Sequence, residues 1–306
     1  MTAPVRLPAT MQVLERGWLS SNNILFRGRG PSALVDSGYS AHAAQTLALV
    51  QSALQGRPLQ RLINTHLHSD HCGGNAVLQQ AYRCRTTIPA SEAQKVGSWE
   101  EDALSFKATG QQCPRFSFDD TIAAGDTLTL GDMAWQVLGA PGHDPHSLIL
   151  FCPDERILIS ADALWQNGFG VVFPELEGES GFAEVRATLE LIATLDARLV
   201  IPGHGAPFSG VRQALDVAFS RLDYLCADPL RNAQNAVKVL LKFLLLERQR
   251  IALAELPQLL GQMRIVIEAN RRFLQQPLPL LTQWAVAQLV KAGAAEVDGA
   301  HLRNRG

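Results

Sequence analysis

Residues 65–74 read THLHSDHCGG. Three of the chain's eight histidines fall within six positions, with Asp70 among them. His66 and His68 are two apart, and on an extended segment such residues project to the same side. Asp70 and His71 follow where the chain must turn, and Gly73 and Gly74 let the backbone turn tightly. Imidazole nitrogen and carboxylate oxygen are ordinary ligands for Zn²⁺ and similar borderline cations. Four such groups crowded together would repel one another or stay unpaired without a cation. The stretch therefore predicts a metal site rather than unrelated loop histidines.

The segments on either side set this cluster in a layered α/β structure. LQRLIN (59–64) reads as a short buried strand running into the histidines, and NAVLQQAY (75–82) as a short helix with Asn75 near its start. Upstream, NNILFRGRGPSALVDSG (22–38) reads as a hairpin-like strand pair with Gly28, Gly30 and Pro31 in the turn. AHAAQTLALVQSAL (41–54) has a helical apolar stripe. Downstream, residues 123–143, 147–165 and 196–205 each carry strand-like runs into short polar pieces, with PDER (153–156) as a turn between two strands. These runs end at His143, Asp162 and His204, placed to reach one sheet edge where chemistry sits in the loops after strands.

With these residues in view, the chain resembles the metallo-β-lactamase-fold hydrolases, closest in flavour to the glyoxalase-II-like branch with two metals. The resemblance rests on THLHSDHCGG, the PGH of residues 141–143, the post-strand Asp162 and the PGHG of residues 202–205, with VDSG (35–38) as an early strand end. It covers about residues 20 to 208. It implies an αβ/βα four-layer sandwich with two mixed sheets inside and helices on both outer faces. It also implies that His66, His68 and His143 hold one metal, that Asp70, His71 and His204 hold a second, and that Asp162 bridges them. No position of that ligand set is missing.

The expected reaction is hydrolysis of a thioester, ester or lactone carbonyl by a metal-bridging hydroxide. Two divalent metals lower the pKa of a shared water from 15.7 toward about 7 and polarise the carbonyl. Asp70 is the expected catalytic group, orienting the hydroxide and sharing in proton transfer. Two Zn²⁺ are the expected ions, and the donors also accept Fe or Mn. Two alternatives stand: a metal-dependent nuclease acting on RNA, and a mononuclear iron persulfide dioxygenase, since such a relative shares most of the ligands.

Further residues have two readings each. Tyr39, Trp165, Phe169 and Phe173 follow strand-end motifs, either walling a substrate pocket or simply packing. His146 reaches substrate or bonds nearby backbone. Asp36 either supports the ligand loop by hydrogen bonding or is a plain turn residue, and Cys72 either tunes the site or packs. His42 and His301 lie outside every motif and read as surface residues.

Length and composition suit two domains, or one large domain with an appendage: 306 residues, 47% hydrophobic and 18% charged. The pattern changes near residue 210, predicting a domain at 1–210 and a helical, winged-helix-like one at 211–306, with Asp298-Gly299 turning a terminal hairpin. Residues 1–210 carry a net −7 and residues 211–306 a net +5. A basic tail is an ordinary solvated face or a surface for an acidic partner, and KVLLKFLLLE (238–247) is either core or a homodimer contact. A small acyl substrate is the expected partner, ahead of nucleic acid. No apolar run spans a membrane and no secretory leader is evident in residues 1–20. Five scattered cysteines without a C-x-x-C pair fit a reducing, cytoplasmic setting.

Overall fold

A computed structural model of the chain describes residues 6–305, so the first five positions of the stretch read as leaderless lie outside it. The first sheet holds six strands in sequential order: Met11–Leu14 (β1), Asn23–Phe26 (β2), Ala33–Val35 (β3), Arg61–Ile63 (β4), Arg85–Pro89 (β5) and Asp120–Ile122 (β6). The first three pair antiparallel, and β3 to β6 pair parallel. The second sheet holds Thr127–Leu130 (β7), Met133–Gly139 (β8), Leu148–Cys152 (β9), Ile157–Ala161 (β10) and Leu199–Pro202 (β11). It is antiparallel except for the parallel pair β10 and β11.

Strand periodicity of two explains the layers. In β2, Ile24 and Phe26 face the second sheet, whereas Leu25 points outward. In β9, Leu148, Leu150 and Cys152 face inward, and Ile149 and Phe151 outward. Both faces of each sheet are thus apolar, the mark of sheets buried between helices. Trp135 fills the space between the sheets, fully buried, with Phe26 edge-on at 5.4 Å.

Ala43–Leu54 (α1) and Asn75–Tyr82 cover the outer face of the first sheet through Val50, Leu54 and Leu78. Ser69–Cys72 (α2) is a single helical turn, so Asn75–Tyr82 is α3, and Ala93–Ser98 (α4) follows β5. After β10 come Phe173–Glu177 (α5) and Phe182–Thr194 (α6), then Val211–Cys226 (α7). Helices α6 and α7 cover the outer face of the second sheet through Leu189, Ile192, Leu215 and Leu222. This completes the expected αβ/βα sandwich.

Helix α7, which follows residue 210, buries its apolar face in the sandwich. A further core spans Leu230–Arg248 (α8), Leu256–Gly261 (α9), Arg264–Ala269 (α10) and Leu278–Lys291 (α11), and it takes in Ala108, Val171 and Leu176 from the preceding part of the chain. Arg250–Ala252 (β12), Ala295–Asp298 (β13) and His301–Asn304 (β14) form a three-stranded antiparallel sheet beside them. Leu240, Leu241, Leu244 and Leu245 of α8 are buried in this core, so the apolar run on that helix serves the chain's own packing. No helix among the described residues is long and apolar enough to cross a membrane.

Candidate metal centre

Strands β8 and β10 both run antiparallel to β9, and β11 runs parallel to β10, so these three point the same way. Their following loops therefore emerge at one edge and deliver His143, Asp162 and His204. The segment after β4 delivers His66 and His68, and α2 carries Asp70 and His71. Gly73 and Gly74 act through close approach rather than unusual torsions, since their φ values are −63° and −86°. A Cβ on Gly73 would overlap the backbone nitrogen of Ser40, and one on Gly74 the backbone oxygen of Ser37.

The seven side chains form two groups, each with donor atoms within 4.8 Å of one another: His66, His68 and His143, and Asp70, His71, Asp162 and His204. Asp162 faces both, with Oδ1 3.4 Å from His71 Nε2 and Oδ2 3.4 Å from His143 Nε2. His204 Nε2 lies 3.0 Å from Asp70 Oδ2.

Neighbouring bonds fix which nitrogen of each ring faces the centre. His143 Nδ1 donates to the Val171 carbonyl at 2.5 Å and His71 Nδ1 to Asp36 Oδ2 at 2.8 Å. His66 Nδ1 lies 3.2 Å from Thr65 Oγ1. These three rings present Nε2 lone pairs inward. His68 enters the other way round, its Nδ1 3.2 Å from His66 Nε2 and 2.8 Å from His143 Nε2. His71 Nε2 is buried without a hydrogen-bond partner. Converging lone pairs and an orphaned imidazole nitrogen are the chemistry a divalent cation satisfies, so the residues fit the expected metals.

Electrostatics agree. Burial, together with neighbouring His68, pushes the His143 pKa down to about 4, and burial among histidines lowers that of His66. Both therefore stay neutral at neutral pH, with a lone pair free for a cation. Burial also opposes charge on His71, but Asp162 and Asp36 outweigh it and raise its pKa, so a cation bound at Nε2 would displace a proton from this ring. Burial opposes charge on Asp162 too, yet His204 and His71 hold its carboxyl well below the usual range.

Asp36 adopts a left-handed φ of 58° and carries the ligand loop from behind. Its carboxylate accepts from the Thr65 N–H at 2.9 Å, the Thr65 hydroxyl at 2.8 Å and His71. Cys72 is buried and turned from the centre, its thiol 3.5 Å from the Leu67 carbonyl and 3.7 Å from Cys113 Sγ.

A cavity of about 690 Å³ opens onto the centre, lined by His68, Asp70, His143, Asp162 and His204 at one end and by α8 and α11 at the other. Trp165, Phe169 and Phe173 line it. Tyr39 does not: it is fully buried, its hydroxyl accepts from the Gln112 N–H, and its ring edge packs on Phe243, which does line the wall. His146 also lies outside, its Nε2 3.4 Å from Glu92 and its N–H donating to Asp144, so local bonding and not the cavity holds it. His42 and His301 are half-buried, bonded to Ser20 and Arg250.

Two residues at the centre escape a reading of the sequence, Trp18 and Thr65. Trp18 stacks on His204, centroids 5.4 Å apart and planes within 7°, while Trp165 meets both rings edge-on. Thr65 carries the one available signal, adjacency to His66. Trp18 stands in a stretch without periodicity, and only the fold brings it here.

By fold and site this is an αβ/βα sandwich protein with two His/Asp groups able to hold metal ions at its sheet edge. Residues 16–204 match the profile of the Metallo-beta-lactamase superfamily, and the chain belongs to that superfamily. It is 30% identical over 188 residues to a hydroxyacylglutathione hydrolase of Rhodopseudomonas palustris, an alignment covering 61% of this chain and 63% of the relative. The chain thus spans less than two thirds of that relative's length. In structure it is similar to a metallo-beta-lactamase family protein from Thermus thermophilus, with TM-score 0.59, 19% identity and coverage of 98% of this chain and 100% of that one. A beta-lactamase domain protein from Burkholderia ambifaria gives TM-score 0.60 at 21% identity, covering 98% of this chain and 94% of that one.

Proposed function

We propose that the chain is a dinuclear metal-dependent hydrolase that opens an activated carbonyl, with a thioester as the favoured substrate. The observation that carries this is the pair of ligand groups lining a large cavity, with Asp162 of the second group also facing His143 of the first. His66, His68 and His143 would hold one ion, Asp70, His71 and His204 the other, with Asp162 between them. Zn²⁺ is the proposed ion, and Fe or Mn suit the same donors. Bound divalent metals supply an acidified water and a polarised carbonyl.

The chain's own groups do the rest. Asp70 lines the cavity and is bonded to His204, which places its carboxylate to hold a proton released from water and pass it to the leaving group. Trp165, Phe169 and Phe173 form apolar walls that keep bulk water from the reacting carbonyl. Such walls suit an acyl compound better than a polynucleotide, which argues against the RNA reading. The name of the Rhodopseudomonas relative supports a thioester. For the tail, the order α8, β12, α9, α10, α11 and the β13–β14 hairpin supports a winged-helix-like unit.

The test is turnover of acyl thioesters by the metal-loaded protein, before and after chelation and in His143→Ala. Hydrolysis abolished by both treatments supports the reading. Chelator-resistant hydrolysis, or persulfide oxidation with one bound iron, would contradict it.

A further inference from the structure

We propose that Trp165 and Trp18 are positioning residues for the second ligand group, holding Asp162 and His204 in the arrangement that an ion there requires. The proposal rests on the dinuclear metal reading above and adds to it two side chains that act through the ligands.

The indole N–H of Trp165 donates to Asp162 Oδ1 at 3.2 Å. Oδ1 is the oxygen turned to the second group, 3.4 Å from His71 Nε2 and 3.8 Å from His204 Nε2, whereas Oδ2 is the oxygen turned to His143. Among the described residues, no other side chain outside the two groups donates to this carboxylate. A hydrogen bond to a charged acceptor is short and directional, and a carboxylate oxygen that accepts one keeps a lone pair for a cation.

His204 is held differently from its neighbours. His71, His143 and His66 each set an outer nitrogen beside an oxygen, from Asp36, Val171 and Thr65 respectively. His204 Nδ1 is buried with no hydrogen-bond partner among the described residues. Two indoles flank its ring instead. Trp18 lies flat on it at 5.4 Å, and Trp165 meets it edge-on at 5.5 Å and 79°. The indoles also meet each other edge-on at 5.4 Å, so the three rings brace one another. Aromatic contact thus sets the tilt that a hydrogen bond sets elsewhere in the centre.

Both indoles are anchored. Ser21 N–H donates to the Asp70 carbonyl at 2.9 Å and Asn22 N–H to the Gly203 carbonyl at 2.7 Å, which fastens the segment after Trp18 to two ligand loops. The Asn22 amide adds bonds to the Pro202 and Gly205 carbonyls. Trp165 N–H donates to the Gly168 carbonyl at 2.6 Å. Trp18 is 58% exposed, so its replacement removes the stack while sparing the core.

The experiment measures Zn²⁺ affinity of the full chain by competition with a chromogenic chelator. Trp165→Phe keeps a ring and removes the N–H, and should weaken one of two ions by about 10–100-fold. Trp18→Ala should weaken the same ion by about 2–10-fold, the strength of an aromatic contact, and Trp18→Phe should restore most of it. Two backgrounds assign the ion. In His66→Ala, which keeps the second group, Trp165→Phe should weaken the remaining ion; in His71→Ala, which keeps the first group, it should not. With Co²⁺ in the His66→Ala background, Trp165→Phe should also shift the visible absorption bands, a sign of altered ligand geometry. If a background fails to fold, stepwise binding in the full chain still decides, because the proposal requires one ion and not both to be weakened.

Unmoved affinity in folded Trp165→Phe or Trp18→Ala would overturn the proposal for that residue. Equal weakening of both ions would mark a general loss of structure and overturn it for both. A native chain that binds fewer than two ions would sink the dinuclear reading, and the proposal with it.

Discussion

Asp36 Oδ2 accepts a hydrogen bond from His71 Nδ1 at 2.8 Å, and the same oxygen accepts from Thr65, whose hydroxyl lies 3.2 Å from His66 Nδ1. One buried carboxylate thus fixes a ring in each ligand group. Asp36→Ala should weaken metal binding by about 10–100-fold, the usual effect of losing a group that orients a ligand. Competition against a chromogenic chelator would measure it. Unaltered affinity would mean the rings are held by other contacts.

Two glycines should respond oppositely to alanine. Gly74→Ala pushes a methyl into the Ser37 carbonyl, which is backbone and cannot swing aside. It should destabilise by at least about 1–3 kcal/mol. Gly97 in α4 has open space around it and no positive φ, so Gly97→Ala should stabilise by about 0.5–1 kcal/mol. Urea unfolding of both variants checks the pair.

Trp135 sits at the centre of the inter-sheet core with no exposed surface. Its replacement by Ala should cost about 3–5 kcal/mol through lost burial and the cavity left behind. A midpoint shift well under that in chemical denaturation would show that the two sheets do not close on this residue.

Of the five cysteines, four are buried and Cys226 is exposed, and none is in a disulfide. Burial also pushes the Cys84 thiol up to about 11, leaving it protonated at neutral pH. A thiol-specific reagent should therefore modify one cysteine rapidly in the native protein and all of them after unfolding. Fast native modification of a second would place another cysteine at the surface.

The centre was legible because its ligands are packed into one short stretch and into three strand ends. Spacing in residues 65–74 reports geometry directly, and His143, Asp162 and His204 each follow an apolar run that has to be a strand. The layers were legible through alternation, as in Leu148 to Cys152. The segment from Arg85 to Ile122 was not, since β5, α4 and β6 are short and separated by irregular chain. Gly73 and Gly74 carried the right residues with the wrong reason: their small size admits the backbone of residues 37–40, a tertiary fact no local pattern encodes. Between the two readings of Tyr39, packing is the one its burial and its contact with Phe243 favour. It follows a strand end, but the adjoining wall from α8 closes over it.

The most direct test is the metal content of the native protein and of His66→Ala and Asp162→Ala, each reconstituted with excess Zn²⁺, freed of loose ions and measured by elemental mass spectrometry. The ligand groups predict about two ions per native chain, one retained after loss of His66, and disruption of both sites after loss of the shared Asp162. A native chain that binds no ion, or variants that bind as many as the native chain, would contradict the account.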